Sequence, residues 1–311
     1  MSRTIARRDF IKTSAGAGLT LALGSALAAA EGRPVKTQAP AVAVATGDDY
    51  GLSAIKAVEI LGGIKLFVPR GSKVALLPNV QSRHPGSFTK PEILRAIIRL
   101  CKKAGASEVN CLSWQTAKQW EDTGLQAVID AEGAGLKIFE KDESLFKPVA
   151  VPDGVVLKEA RILAALYDHD LLINMPITKD HAGNKFTGSM KNLMGLNSPA
   201  NNRTFHKPNW KTDPGDVAHL DQSIVDLNKA VRPALNIVDA TEFITTNGPF
   251  GPGELLKPRK VVAGTDRVAV DAFCASLWGL NPEDIVQIKR GSEQGLGRIR
   301  QGGAGVREAS V

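Results

Sequence analysis

The sequence predicts an α/β domain built on a mostly parallel sheet flanked by helices. Three observations carry this. Short apolar runs closed by Pro, Asn or Asp recur along the chain. Amphipathic stretches of helical period stand between them. The strand-like runs are continuously apolar rather than alternating, as in strands covered on both faces.

The elements follow in order. Val74-Ala75-Leu76-Leu77 is a short buried strand halted by Pro78-Asn79. Pro91 to Ala104 is an amphipathic helix: Ile93, Leu94, Ile97, Cys101 and Ala104 share one side, and Glu92, Arg95, Arg99 and Lys102 the other. Gly105 stops it, and Val109 to Leu112 is the next strand. Leu171 to Met175 is a strand ended by Pro176. Asp213 and Pro214, as N-cap and N1, open a helix whose apolar face is Val217, Leu220, Ile224, Leu227 and Val231. Leu235 to Val238 is a strand ending at Asp239, Val261 to Ala263 another, and a helix from about Asp266 to Trp278 is ended by Gly279. No internal repeat is present.

The N-terminus carries a different signal. Arg7-Arg8-Asp9-Phe10-Ile11-Lys12 resembles the twin-arginine (Tat) export consensus. The weakly apolar run Ser14 to Ala30 follows, diluted by Gly16, Gly18 and Gly24, and its end offers small residues for cleavage after Ala28 or Ala30. It is too short and too weakly apolar to span a membrane, and no cysteine near the cleavage region supports a lipoprotein. The expected organisation is a signal peptide over 1–30, a linker over 31–47, one α/β domain over 48–301 and a mobile Gly-rich tail over 302–311. The expected location is the periplasm, with the Tat translocase as partner during export and no membrane span in the mature form.

Of the formal charge of +7, the first 30 residues hold four basic groups (Arg3, Arg7, Arg8, Lys12) and one acid (Asp9), leaving +4. With no basic–aromatic clustering, that is no nucleic-acid footprint. The three cysteines, Cys101, Cys111 and Cys274, include no C-x-x-C, which argues against an iron–sulfur cluster or a cysteine zinc site. They fall in apolar runs, as buried free thiols do. There is no G-x-S-x-G, P-loop, G-x-G-x-x-G or H-E-x-x-H.

In open α/β sheets ligands bind beyond the carboxyl ends of the strands, so polar residues following strands are the candidates. Asn79 is the first, as a donor to an anion or as a plain turn residue. After the strand at 171–175 come Thr178, Lys179, Asp180 and His181, a turn with Gly183 and Gly188, and then Lys191-Asn192 between Met190 and Leu193. Lysines and close-approach glycines there suit an anion, and a buried Lys191 requires an acidic partner or a ligand. Asp239, with Glu242, precedes the Gly248-Pro249 loop and could act as general base or hold a cation. Asp266 opens a helix in which Asp271 is an isolated charge among apolar neighbours, expected to pair with Lys179, Lys191, Arg267 or a metal. His181 has no partner at metal-binding spacing.

These segments resemble the DUF362 family, a group without an assigned function. The resemblance runs from Leu61-Gly62-Gly63-Ile64 through Asn174-Met175-Pro176, Lys179-Asp180-His181 and Gly188-Ser189-Met190-Lys191-Asn192-Leu193-Met194-Gly195. It continues to Val238-Asp239-Ala240, Gly248-Pro249 and Asp266-Arg267-Val268-Ala269-Val270-Asp271-Ala272. It covers about residues 55 to 300. Leu77 stands where the family usually has Lys, and the ferredoxin-like segment of many relatives is missing. The resemblance strengthens the choice of these positions without naming a reaction, and the expected fold is a single large domain with Rossmann-like layers. The leading expectation is an enzyme acting on a small anionic metabolite, with Lys179 and Lys191 holding the anion, Asn79 and Asn192 orienting it, Asp239, Asp271 or His181 catalytic, and Gly248 and Asp266 at the ligand. The rivals are a non-catalytic binding protein for an anion, metal or cofactor and an accessory factor for an exported redox enzyme.

Overall fold

The structure, a computed structural model, describes residues 41–139, 141–299 and 305–311. The signal, its cleavage site and residues 31–40 lie outside the described residues.

The chain begins with β1 (Val42–Thr46) and α1 (Tyr50–Ile60), whose N-cap Asp49 accepts from the Leu52 amide. β2 (Lys73–Pro78), α2 (Pro91–Ala104) and β3 (Glu108–Ser113) form the expected strand–helix–strand unit. Pro91 starts α2, and Gly105 ends it at φ 93°, a left-handed position that favours glycine. Next come α3 (Ala117–Asp122), α4 (Leu125–Ala131), β4 (Gly135–Ile138), the hairpin β5 (Phe146–Ala150) and β6 (Glu159–Leu163), and β7 (Leu171–Met175). One-turn α5 (Ser189–Asn192), α6 (Pro199–Phe205) and α7 (Pro214–Ala230) lead to β8 (Leu235–Ala240). The small pair β9 (Phe243–Ile244) and β10 (Leu255–Leu256), then β11 (Lys260–Gly264), α8 (Arg267–Ser276), α9 (Val286–Glu293) and β12 (Val306–Ser310) complete the described chain.

Eight strands form the main sheet in the order β12-β1-β11-β8-β7-β2-β3-β4. β11 alone runs against its neighbours; the other pairings are parallel. Both faces are covered. Along β1, Val42 and Val44 pack on one side, beneath α5, α7, α8 and α9, while Ala43 and Ala45 pack on the other, beneath α1, α2 and α4. This is why the strands read as unbroken apolar runs.

Two expectations are corrected. Residues 42–46, assigned to a linker, form β1 inside the sheet, and residues 306–310, assigned to a mobile tail, pair with β1 in parallel from Val42–Val306 to Thr46–Ser310. A five-residue Val-Ala-Val-Ala-Thr run carries no period that separates a buried strand from an Ala/Val-rich linker. β12 is largely exposed and polar, an edge strand held by backbone pairing.

From β2 the chain moves outward through β3 to β4. It returns at β7 on the other side of β2 and moves away through β8. The strand order therefore reverses between β2 and β7, and their carboxyl ends flank a crevice of the kind where such sheets bind ligands.

Deleting residues 305–311 removes the β1–β12 ladder and the Val311 amide bond to the Thr46 carbonyl. We expect the remaining domain to keep its circular-dichroism spectrum. Its melting temperature should fall by about 2–6 °C, the equivalent of about 1–2 kcal/mol, and it should aggregate more readily through the bared β1 edge.

Candidate functional site

A cleft of about 780 Å³ opens at this reversal, beyond the ends of β2, β3 and β7. Its floor is built by Asn79, Lys191 and Asn192, and its walls include His181, Trp114 and Met194. Lys141, Arg203, His206 and Lys207 also line it, and among the described residues no Asp or Glu does. Lys141, Lys191, Arg203 and Lys207 make the described lining electropositive.

Beneath the floor, buried amides form a directed relay. Lys179 is 0 % exposed, and its Nζ donates to Asn79 Oδ1 (3.1 Å) and to the Ser87 carbonyl (2.6 Å). Asn79 Nδ2 donates to Asn192 Oδ1 (3.0 Å), and Asn192 Nδ2 to Asn174 Oδ1 (2.8 Å). Asn174 Nδ2 passes on to Asn236 Oδ1 (3.0 Å), whose Nδ2 reaches the Gly264 carbonyl (3.3 Å). The parallel ladder makes this possible, because Asn174 of β7 is the register partner of both Leu77 on β2 and Asn236 on β8. Asn192 also donates to the Leu77 carbonyl and Asn174 to the Ser189 carbonyl, so α5 is bolted to the sheet.

Lys191, the third residue of α5, stands on this base. It is 8 % exposed, and the partner found for its Nζ is the Met194 thioether at 3.6 Å. Among the described residues it enters no salt bridge. Burial lowers its pKa to about 8, partly opposed by the charge of Asp221. Lys179 is pushed down to about 7 by burial and by Lys191. His181, 3 % exposed, has an unpartnered Nδ1, and burial, Lys191 and His206 hold its pKa well below the ordinary histidine value. His206 Nδ1 donates to the Asn202 carbonyl (3.0 Å), which leaves Nε2 as the unprotonated nitrogen of a neutral ring whose pKa burial lowers to about 4. Trp210 packs against both rings, at 5.1 Å from His181 and 4.9 Å from His206.

Asn79, His181, Lys191 and Asn192 thus gather at the cleft, with Lys179 behind them. The other sequence candidates stand elsewhere. Asp271 is buried and accepts from the Ser189 and Met190 amides (2.5 and 2.9 Å), capping α5; it pairs with neither lysine, and burial raises its pKa to about 7. Asp239 accepts from the Lys90 amide at the head of α2 and from the Thr241 amide and hydroxyl, which joins β8 to α2 away from the cleft. Asp266 is the N-cap of α8 and also accepts from the Arg298 amide. Gly248 does not line the cleft; its amide donates to Asp180, and a Cβ there would lie 1.8 Å from the Asp180 carbonyl oxygen, so the loop is pressed against the backbone that carries His181. These residues support the site without facing it. A carboxylate satisfied by backbone amides is a structural partner that side-chain patterns do not reveal.

Sequence reasoning missed Asn174 and Asn236, the middle of the relay, although an Asn within an apolar strand run was the available signal. It also missed Asp221, His206, Trp114 and the basic residues of the rim. Among the described residues no group of three or more His, Cys, Asp or Glu could hold a metal ion. The three cysteines are buried and free, with their thiols pushed up by burial. No helix among the described residues is long and apolar enough to cross a membrane.

A doubly covered, largely parallel α/β sheet with a basic cleft at its strand reversal defines the class of this protein. The chain belongs to the DUF362 family, a domain of unknown function, whose model matches residues 74–276. It is 26% identical over 246 residues to a thylakoid-associated protein of Synechocystis sp., covering 77% of this chain and 73% of that one. Among solved structures it is similar to the lactate racemase apoprotein of Thermoanaerobacterium thermosaccharolyticum, with a TM-score of 0.41 and 15% identity over 65% of this chain. The chain spans about half the length of that structure.

Replacing Asn174 by Ala strands the Asn236 oxygen and the Ser189 carbonyl and takes one acceptor from Asn192. At roughly 1–3 kcal/mol for each stranded buried group, we expect a loss of about 2–4 kcal/mol in urea unfolding. Replacing exposed Asn209 by Ala should change stability little.

Proposed function

We propose that the cleft binds a small organic anion and that the protein is an enzyme carrying out proton transfer on it. Lys191 carries this reading. An ammonium group has three donors, and a thioether is a poor acceptor for even one of them; a buried cation in that position is completed by an anion. Asn79 and Asn192, locked by the relay, fix the floor on which the anion rests. A lysine whose pKa lies near 8 can both hold a carboxylate or phosphate and exchange a proton near neutral pH, and neutral His206 offers an unprotonated nitrogen beside it. Asp221, buried and raised to about 7 by burial, hydrogen-bonds Asn184 and acts on Lys191 through its charge. A compound bound without turnover would instead support a non-catalytic anion-binding protein.

Two outcomes test the lysine. Calorimetric titration with inorganic phosphate and with small monocarboxylates should show affinity that is steady below pH 7 and falls as pH rises through about 8. An ordinary surface lysine would retain its charge until about pH 10. Lys191→Met should abolish this binding at every pH. The sign for stability is the reverse. The folded pKa of Lys191 is depressed, so its charge disfavours the fold below about pH 8, and the penalty fades as pH rises toward the unfolded value. The Met variant should therefore melt higher than the parent at pH 7 without ligand, and the difference should shrink toward pH 10. Equal melting temperatures together with unchanged binding would remove Lys191 from the site.

We also propose periplasmic delivery through the Tat route, with the arginine pair as its address. Arg7→Lys with Arg8→Lys should leave the protein in the cytoplasmic fraction, and normal periplasmic recovery of that double variant would sink the assignment.

A further inference from the structure

The nitrogen-bearing side chains of the cleft lie at two depths. Lys191 at the floor and neutral His181 in the wall beside it are buried, whereas the cations Lys141, Arg203 and Lys207 are exposed at the rim. None of the three rim residues enters a salt bridge among the described residues, and none of their side-chain nitrogens has a hydrogen-bond acceptor there. Between floor and rim the wall is apolar: half-buried Trp114, with Met194 and Pro199 below it. Trp114 is itself fixed, since its Nε1 donates to the Met194 carbonyl at 3.5 Å. A volume of about 780 Å³ far exceeds what a single carboxylate or phosphate group fills, and matches a ligand with a body as well as a head. The unpartnered Nδ1 of His181 and unpartnered Oγ1 of Thr187, both on buried cleft residues, add unused polar groups to its lining.

We infer that the ligand is a dianion with its charges at opposite ends of a short apolar body. One anionic group is seated on Lys191, and the other is held at the rim by Arg203 and Lys207. The inference rests on the reading of the cleft as an anion site and adds the substrate class. A monoanion seated on Lys191 leaves Arg203 and Lys207 without an anionic partner among the described residues and leaves Trp114 facing water. A dianion of matching length satisfies both ends, and the second contact gains from the first because the two groups are tethered. The arrangement also selects by length, since the floor and rim are fixed by different elements: α5 carries Lys191, and the end of α6 with the segment after it carries Arg203 and Lys207.

The test uses the full chain and two probe series. One series is the α,ω-alkanedioic acids and the other the α,ω-alkanediphosphonic acids, each compared with the monoacid of the same chain length. Expected is a dianion advantage of about five- to tenfold in Kd in at least one series, greatest at one chain length. The double variant Arg203→Ala with Lys207→Ala should lose that advantage while its monoacid affinity stays within about twofold of the parent. Lys191→Met should lose both ligands. Two results would overturn the proposal: equal affinity for mono- and diacids at every length in both series, or a rim variant that weakens both ligand types alike. Absence of binding by any acid of either series is a different failure. It would remove the anion-cleft reading on which the proposal stands.

Discussion

The relay of buried amides from Lys179 to the Gly264 carbonyl is the constraint on which the site depends. Lys179, on the loop after β7, starts the relay by donating, and the four amides that follow, just after β2 and on α5, β7 and β8, each accept from one neighbour and donate to the next. A buried amide that loses its partner is costly, and a fully satisfied network is correspondingly rigid. The relay therefore does more than fill space between strands. It fixes the rotation of α5, a single helical turn too short to hold itself, and through that turn it fixes Lys191. Asp271 completes the arrangement from the opposite side by binding the first two amides of the turn. Gly188, immediately before it, is required by the same contact: a Cβ there would fall 2.4 Å from the Asp271 carboxylate.

The electrostatics run against stability. Lys179 and Lys191 are buried cations, Asp221 and Asp271 are buried acids, and in each case burial pushes the pKa toward the neutral form. The lysines penalise the fold most below their depressed pKa values. The carboxyls have raised pKa values, so the stability they contribute is present below their unfolded values near 4 and is lost as pH rises through about 7. Both costs are therefore felt together near neutrality. Concentrating unfavourable charge in one place is the usual mark of a site shaped for binding rather than for the fold alone.

Much of this was legible in the sequence. The strands ended by Pro and Asn, the Asp-Pro opening of α7 and the Gly105 stop mark the layers correctly, because backbone breakers act locally. Lys191 was legible for a different reason: a charge between Met190 and Leu193 has nowhere apolar to go. Asp271 met the same criterion and was truly buried, but its partners are backbone amides, which no residue name displays. Asn174 and Asn236 escaped because an amide in a strand looks like a minor polar interruption until register aligns it with another. The rim cations escaped because they sit on a segment whose path is set by packing rather than by period. β1 and β12 escaped because pairing between distant ends of a chain leaves no local trace.

That last pairing bears on how the protein comes into being. β1 and β12 are neighbours in space and lie at opposite ends of the described chain. During synthesis the sheet cannot close at this margin until residues 306–310 have left the ribosome, whereas the strands that flank the cleft are available earlier. The cleft and the outer margin are separated by β11 and β8, so the margin can be completed late without disturbing the groups around Lys191. Because residues 42–46 find their outer partner only in residues 306–310, that margin acts as a record that the chain between them has been made.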